Sequence, residues 1–156
     1  MIATALRARL LALGFAALLS VASTAACRHD AASETIPGVR LGMAPRDVRD
    51  RFEGGADGSW QTKVGGGAGA SDDTVVEWSA NGDRGRVSHA RFEFHLGMLV
   101  AVRAHLREGI GEARIESTPK TVTVVTLVAG GTDVTMLARD CPTHHDEAES
   151  LVAKAH

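Results

Sequence analysis

The densest chemistry in this 156-residue chain is the run Asp140-Cys141-Pro142-Thr143-His144-His145-Asp146-Glu147. Cys141 and His144 stand in a C-x-x-H spacing, which could lend a thiolate and an imidazole to zinc or copper, with His145 or Asp146 as a third donor. The same residues also read as a strand-to-helix turn. Pro142 breaks the strand, Thr143 caps a helix, and Asp146 and Glu147 suit its positive end. His144 and His145 are neighbours, so on a helix they diverge by about 100° and chelate one ion poorly. A closed metal site would also need a ligand from elsewhere in the chain. The turn is therefore the preferred reading. It leaves Cys141, His144 and His145 as metal candidates only, and nothing in the sequence calls for a cofactor. A cysteine beside a helix start can have a lowered thiol pKa, but no base or cleft is visible to make Cys141 a nucleophile.

Other chemistry is sparser still. His89, His95 and His105 lie on or near the first expected hairpin, and His95 and His105 are expected to face solvent. Gly65-Gly66-Gly67-Ala68-Gly69-Ala70 superficially suggests a phosphate cradle. It lacks the Lys-Ser/Thr of a P-loop, and Ser71-Asp72-Asp73 would repel phosphate, so a loop between strands is expected. Paired carboxylates, a Ser-His-Asp arrangement and a nucleotide fingerprint are all missing. These observations argue against an enzyme.

The second cysteine belongs to a different feature. Arg7 and Arg9 precede an uncharged apolar run from Leu10 to Leu19, then small residues, then Cys27. That order is a secretory leader, and the run is shorter than the ~20 residues a membrane span needs. Thr24-Ala25-Ala26-Cys27 resembles a bacterial lipobox, with Thr24 where Leu or Val is usual. In this reading residues 1–26 are a signal peptide, Cys27 is the lipidated first residue, and 27–35 is a tether to a single domain over 36–156. A palmitate-bearing anchor then attaches the protein to a membrane on its periplasmic side. Arg28 after the cysteine points to the outer membrane. The competing reading is cleavage by an ordinary signal peptidase, giving a soluble periplasmic or secreted protein in which Cys27 and Cys141 could form a disulfide.

Composition narrows the partners. Of 17 Lys and Arg, Arg7 and Arg9 lie in the leader; the rest are outnumbered by 19 Asp and Glu, and aromatics make up only 4% with no Tyr. Neither a basic patch nor stacking rings are on offer, so nucleic acid is not an expected partner. The membrane and other envelope proteins are.

The elements that must position these residues follow from periodicity. Pro45 opens a short helix to Phe52, with Asp47 in its first turn, Val48 and Phe52 on one face, and Gly54-Gly55 after it. Ala44 at the cap has no side-chain acceptor. Strands are expected at Thr74–Trp78, 87–96, 99–107, Thr121–Ala129 and Thr132–Arg139. The first hairpin should pair Phe94 with Val100 and Phe92 with Val102, leaving Arg91, Glu93, Arg103 and His105 on a solvated face. The second should turn at Gly130-Gly131, pairing Val125 with Met136 and Leu127 with Val134, and be covered on both sides. A helix from His144 to Ala155 closes the chain, capped by Thr143. The expected class is α+β: a mainly antiparallel sheet of about five strands, with a short N-terminal helix and a C-terminal helix packed on one face.

Gly42-Met43-Ala44-Pro45-Arg46-Asp47-Val48 resembles the Gly-Met-Thr-x-x-x-Val opening of the small outer-membrane-assembly lipoproteins, the SmpA/OmlA (BamE-like) family. Phe92-Glu93-Phe94-His95-Leu96-Gly97-Met98-Leu99 is similar to that family's apolar-x-Phe-x-x-x-Gly-x-Leu strand. The resemblance covers residues 36–106, with Ala44 in place of the family's Thr and the last β-β-α unit beyond the pattern. It implies a non-enzymatic binding or scaffold module at the inner face of an outer membrane, and assigns no binding residue. The alternative is a periplasmic metal-binding or thiol-redox protein using Cys141 and His144.

Overall fold

The computed structural model describes residues 35–64 and 73–154; the leader, Cys27, most of the tether and the glycine-rich run 65–70 lie outside them. The described chain forms α1 (Pro45–Arg51), β1 (Gly58–Val64), β2 (Asp73–Ala80), β3 (Val87–His95), β4 (Met98–Leu106), β5 (Arg114–Ser117), β6 (Thr121–Val128), β7 (Gly131–Ala138) and α2 (His145–Ala153). All seven strands join one antiparallel sheet in the order β1-β2-β3-β4-β7-β6-β5. Two meanders, β1–β4 and β5–β7, meet where β4 pairs with β7.

Seven strands replace the expected five, and the two additions are the two edges. β1 was hidden among Gly, Ser, Gln and Lys, and β5 is only four residues long. An edge strand buries little, so its sequence carries a weak apolar signal. In β1 the informative residue is Trp60, which lies opposite Trp78 of β2.

The two helices also do not share a face. α1 sends Val48 and Phe52 into the larger core with Val76, Trp78, Phe92, Val102, Val134 and Met136. Phe52 meets Trp60, Trp78 and Phe92 edge-on, with ring centroids 5.8, 5.0 and 5.3 Å apart. Such edge-to-face contacts suit the ring quadrupoles. α2 lies on the opposite face, where Ala148 joins Ala101, Val122 and Leu137. The reason is strand alternation. Ala101 and Leu137 are a cross-strand pair, as are Val102 and Met136, one residue further along β4; neighbours along a strand point to opposite sides. Val102, Ala104, Leu106, Val134 and Met136 are buried on one side and Ala101 and Leu137 on the other, so each side of the sheet's centre has its own cover.

Register differs at two places. Phe92 does pair with Val102, but Phe94 pairs with Leu99, because the β3–β4 ladder shifts after Glu93↔Ala101 and takes up Val100 as an extra residue. Such a bulge lets two residues oppose one. In the second hairpin Val125 pairs with Val134, Thr123 with Met136 and Val122 with Leu137, two residues from the expected register. The turn is Ala129-Gly130, with Gly130 at φ 87°. Gly131 is the first residue of β7, where a side chain would collide with the Leu106 carbonyl. The glycine pair thus divides between turn and close strand approach. The parity of the faces survives, but Leu127 is left 51% exposed.

The ends are adjusted too. α1 stops at Arg51, with Phe52 as its C-cap. α2 runs His145–Ala153 rather than His144–Ala155, its N-cap is His144, and no side chain caps it. Thr143 is therefore not the cap; its Oγ1 lies 3.1 Å from Cys141 Sγ. Ahead of α1, the chain is pinned to β4. Gly42 N–H donates to the Leu99 carbonyl (2.7 Å), and Leu99 N–H donates to that of Met43 (2.8 Å).

The β3–β4 turn holds Leu96 at φ 50° and Gly97 at φ 74°. A two-residue turn with both φ positive favours Asn-Gly, whereas a branched side chain there costs about 1–2 kcal/mol. Leu96 is 62% exposed and offsets little of this by burial. Leu96→Asn should raise stability by about 1 kcal/mol, while Phe92→Ala should lower it by about 3–5 kcal/mol. Chemical denaturation of both variants checks the pair; an Asn variant no more stable than the parent would contradict the turn geometry.

Candidate functional site

The polar face of β2–β3–β4 and the start of α2 bring the molecule's charged side chains together. Strand alternation puts Glu77, Arg91, Glu93 and Arg103 on the face opposite the aromatic cluster. Their contacts run as a chain across the sheet. Lys63 Nζ donates to Glu77 (2.6 Å), and Arg91 reaches Glu77 (3.5 Å) and Glu93 (3.1 Å). Arg103 binds Glu93 through one guanidinium nitrogen and both oxygens of Glu147 on α2 through another, each at 2.8 Å. The fork of an arginine suits this double role.

His144 sits at the end of the chain. It is buried, with Nε2 3.6 Å from Glu93 and Nδ1 3.4 Å from Glu147. Beside it a groove of about 250 Å³ opens between β2–β3 and the turn before α2, with Asp73, Val75, Glu93, Phe94, Val100, Thr143 and His144 in its lining. At its rim His95 Nδ1 lies 2.6 Å from Asp73. Toward the other end of β4, opposite His89, His105 Nδ1 is 2.7 Å from Asp133 of β7. His95 and His105 thus occupy the polar face as expected, but each is held by a carboxylate.

The electrostatics follow from these contacts. Partial burial would raise the Glu147 pKa, but hydrogen bonds from Arg103 and His144 and the nearby Arg103 charge outweigh it and hold the carboxyl below its ordinary value. Burial likewise opposes the Arg103 charge, and its bonds to Glu147 and Glu93 more than compensate. Glu77 is held low first by its hydrogen bond from Lys63.

The three residues singled out at the turn do not converge. Cys141 is a free thiol fully buried in the larger core. His144 lies between Glu93 and Glu147. His145 is exposed, its Nδ1 2.8 Å from the Arg139 carbonyl. Among the described residues, no group of three or more His, Cys, Asp and Glu is placed to hold a metal ion. Cys27 lies outside the described residues. Chemically the arrangement can do one thing well: it ties α2 to the sheet by charge, while Ala148, Leu151 and Val152 tie it by apolar contact.

Sequence reasoning placed Arg91, Glu93 and Arg103 on this face without seeing their partners. The alternating charges Arg91 and Glu93 were the available signal. Glu147 could not be found that way, because it reaches the sheet only once α2 has folded back from a position 44 residues beyond Arg103.

No protein-family model, curated protein or solved structure matches this chain.

The network has a definite acid response. A carboxylate with a depressed folded pKa contributes stability above its unfolded pKa, about 4.3 for Glu, and loses it as pH falls through the folded value. Glu147→Gln should therefore lower the melting temperature at pH 7. The gap from the parent should narrow as pH drops below about 4. Melting curves from pH 7 to pH 3 check this; a constant gap would mean that Glu147 acts by packing alone.

Proposed function

We propose that this protein is an exported bacterial lipoprotein whose domain serves as a non-enzymatic binding or scaffold module at a membrane surface facing the periplasm. Cys27 carries the reading: it closes a leader built of charge, apolar core and small residues. Eight positions separate Cys27 from Thr35, the first described residue, a tether of at most about 28 Å at full extension. The domain would thus stay close to the surface that holds its lipid. Arg28 favours the outer membrane, and the resemblance of residues 36–106 to BamE-like lipoproteins favours a role among envelope proteins.

The fold is compatible with such a role. A sheet covered by a helix on each face has a rigid centre, and its charged groups are engaged with one another rather than poised around a reacting atom. The competing reading, a metal-binding or thiol-redox protein using Cys141 and His144, draws on residues that face different surroundings, one in the apolar core and the other among carboxylates.

Two measurements test the proposal. Intact mass of the protein from its native membrane should show a diacyl or triacyl increment on Cys27. Cys27→Ser should move the protein to the soluble fraction, since the lipid is the anchor; persistence in the membrane would refute the anchoring. A melting curve with and without EDTA addresses the competing reading. The lipoprotein reading expects the two curves to coincide, for parent and for the His144→Gln/His145→Gln variant relative to itself. A chelator-dependent drop in the parent that the double variant lacks would establish a metal site, because a bound metal stabilises the native state by mass action.

A further inference from the structure

Trp78 holds the one buried side-chain polar atom that finds no hydrogen-bond partner among the described residues, its Nε1. The residue is only 2% exposed. A buried donor without an acceptor costs free energy, and native structures seldom carry one without a reason. The indole forms part of a cavity of about 140 Å³ between the α1–β1 connection and the β2–β3 loop. Its N–H edge lies against Gly58, where a Cβ would stand 2.4 Å from Nε1, and Gly58 follows Asp57 of the cavity wall. Gly54 lines the cavity as well, and a Cβ there would meet the indole at 2.9 Å. Around the ring stand Glu53, Asp57, Arg84 and Arg86. Unlike the charges of the polar face, these four side chains join no ion pair among the described residues. Both walls are held through backbone groups. Asn81 N–H donates to the Asp57 carbonyl at 3.0 Å, and Arg107 grips the β2–β3 loop through four carbonyls at 2.6–3.2 Å. A fixed frame, an aromatic floor with an unused donor, and a rim of unpaired charges are the makings of a small-molecule site.

We propose that this cavity binds a small zwitterion, a free α-amino acid with a short side chain. The lining argues for both charges at once. The Trp78 indole N–H and the guanidinium groups of Arg84 and Arg86 are donors, and a carboxylate can accept from several donors together. Glu53 and Asp57 are acceptors that suit an ammonium group. A simple anion would meet two carboxylates, and a simple cation two guanidinium groups, with nothing to offer them. A molecule carrying both charges answers each side of the rim. The volume is well below the ~300 Å³ at which drug-sized sites begin, which limits the ligand's side chain to a few atoms. Trp78 Nε1 is covered from bulk water, so the ligand reaches it through side-chain movement at the rim, where Glu53, Asp57 and Arg84 are exposed. Its carboxylate then supplies the acceptor that the protein does not. This inference does not rest on the lipoprotein reading: the cavity is built from residues between Glu53 and Val87, whether or not Cys27 carries lipid.

Magnetic resonance of the full chain, with isotope-labelled tryptophan, tests it. The chain has two tryptophans and hence two indole N–H signals, which the Trp60→Phe variant assigns. Free glycine, alanine or serine should move the Trp78 signal along a saturating curve and leave that of Trp60 little changed. Acetate and ethylamine, each with one of the two charges, should bind several-fold more weakly than glycine. Arg84→Gln and Glu53→Gln, both at exposed positions, should weaken glycine binding several-fold while leaving the melting temperature unchanged. A Trp78 signal that none of the three amino acids moves would overturn the proposal and leave the cavity to water. Acetate binding as tightly as glycine would overturn it in favour of a plain anion site. Glycine binding unaltered in both variants would overturn it too, because the rim charges would then recognise nothing.

Discussion

The ladder between β4 and β7 is the contact on which the rest of this structure depends. Two meanders that each bury one side poorly become a single sheet because Ala101 to Leu106 lie against Thr132 to Leu137. Each strand buries one whole face in the larger core and, at Ala101 and Leu137, part of the other, so neither suits an exposed edge. Their pairing creates two apolar surfaces back to back, and each then requires a cover. α1 and the chain before it close one with Val48, Phe52, Ile36 and Val39, and α2 closes the other with Ala148. The connection from β4 to the far edge is held to the same seam. Thr132, fully buried, donates from Oγ1 to the Glu108 carbonyl and accepts from the Ile110 N–H. Arg107 fans its guanidinium over the carbonyls of Gly82, Arg84, Gly85 and Val87, fixing the β2–β3 loop at the same end.

The two covers differ in kind. On the α1 side the contact is aromatic and dry: Phe52 is surrounded by Trp60, Trp78 and Phe92, and Gly54 and Gly58 lie so close to the Trp78 ring that a side chain at either would collide with it. On the α2 side the apolar contact is smaller, and charge supplements it. Both Glu147 oxygens accept from one guanidinium nitrogen of Arg103, whose other terminal nitrogen binds Glu93, and Glu149 Oε1 accepts from Nε and Nη2 of Arg139 at 2.8 and 2.5 Å. Charge-assisted bonds of this sort add orientation as well as attraction. α2 lacks a capping side chain, so its placement owes more to these tethers than to its own ends.

This division bears on what kind of protein it is. The polar face spends its charged groups on holding α2 and on cross-strand pairs, and the groove at His144 is a by-product of that seam. Among the described residues, the outer edge of β1 beside Trp60 meets no further strand.

Local and periodic features were legible in the residues themselves. Pro45 after Ala44, with Val48 and Phe52 four apart, placed α1 within a residue, and alternating Phe92, Phe94, Val102 and Ala104 marked the buried side of the first hairpin. Period-two alternation also foretold that Arg91, Glu93 and Arg103 share the opposite side. The tertiary structure decided what periodicity cannot carry. Whether Gly130 or Gly131 sits in the turn depends on how closely Leu106 of β4 approaches. The bulge at Val100 lies beside the backbone that Gly42 and Met43 attach to Leu99. β1 and β5 become strands because a neighbour offers them hydrogen bonds, not because their side chains demand burial. Cys141 and His144, three residues apart and chemically suggestive together, end in different environments because one turns into the core behind β4 and the other toward Glu93. Sequence spacing sets which side of an element a residue takes; only long-range pairing sets what it finds there.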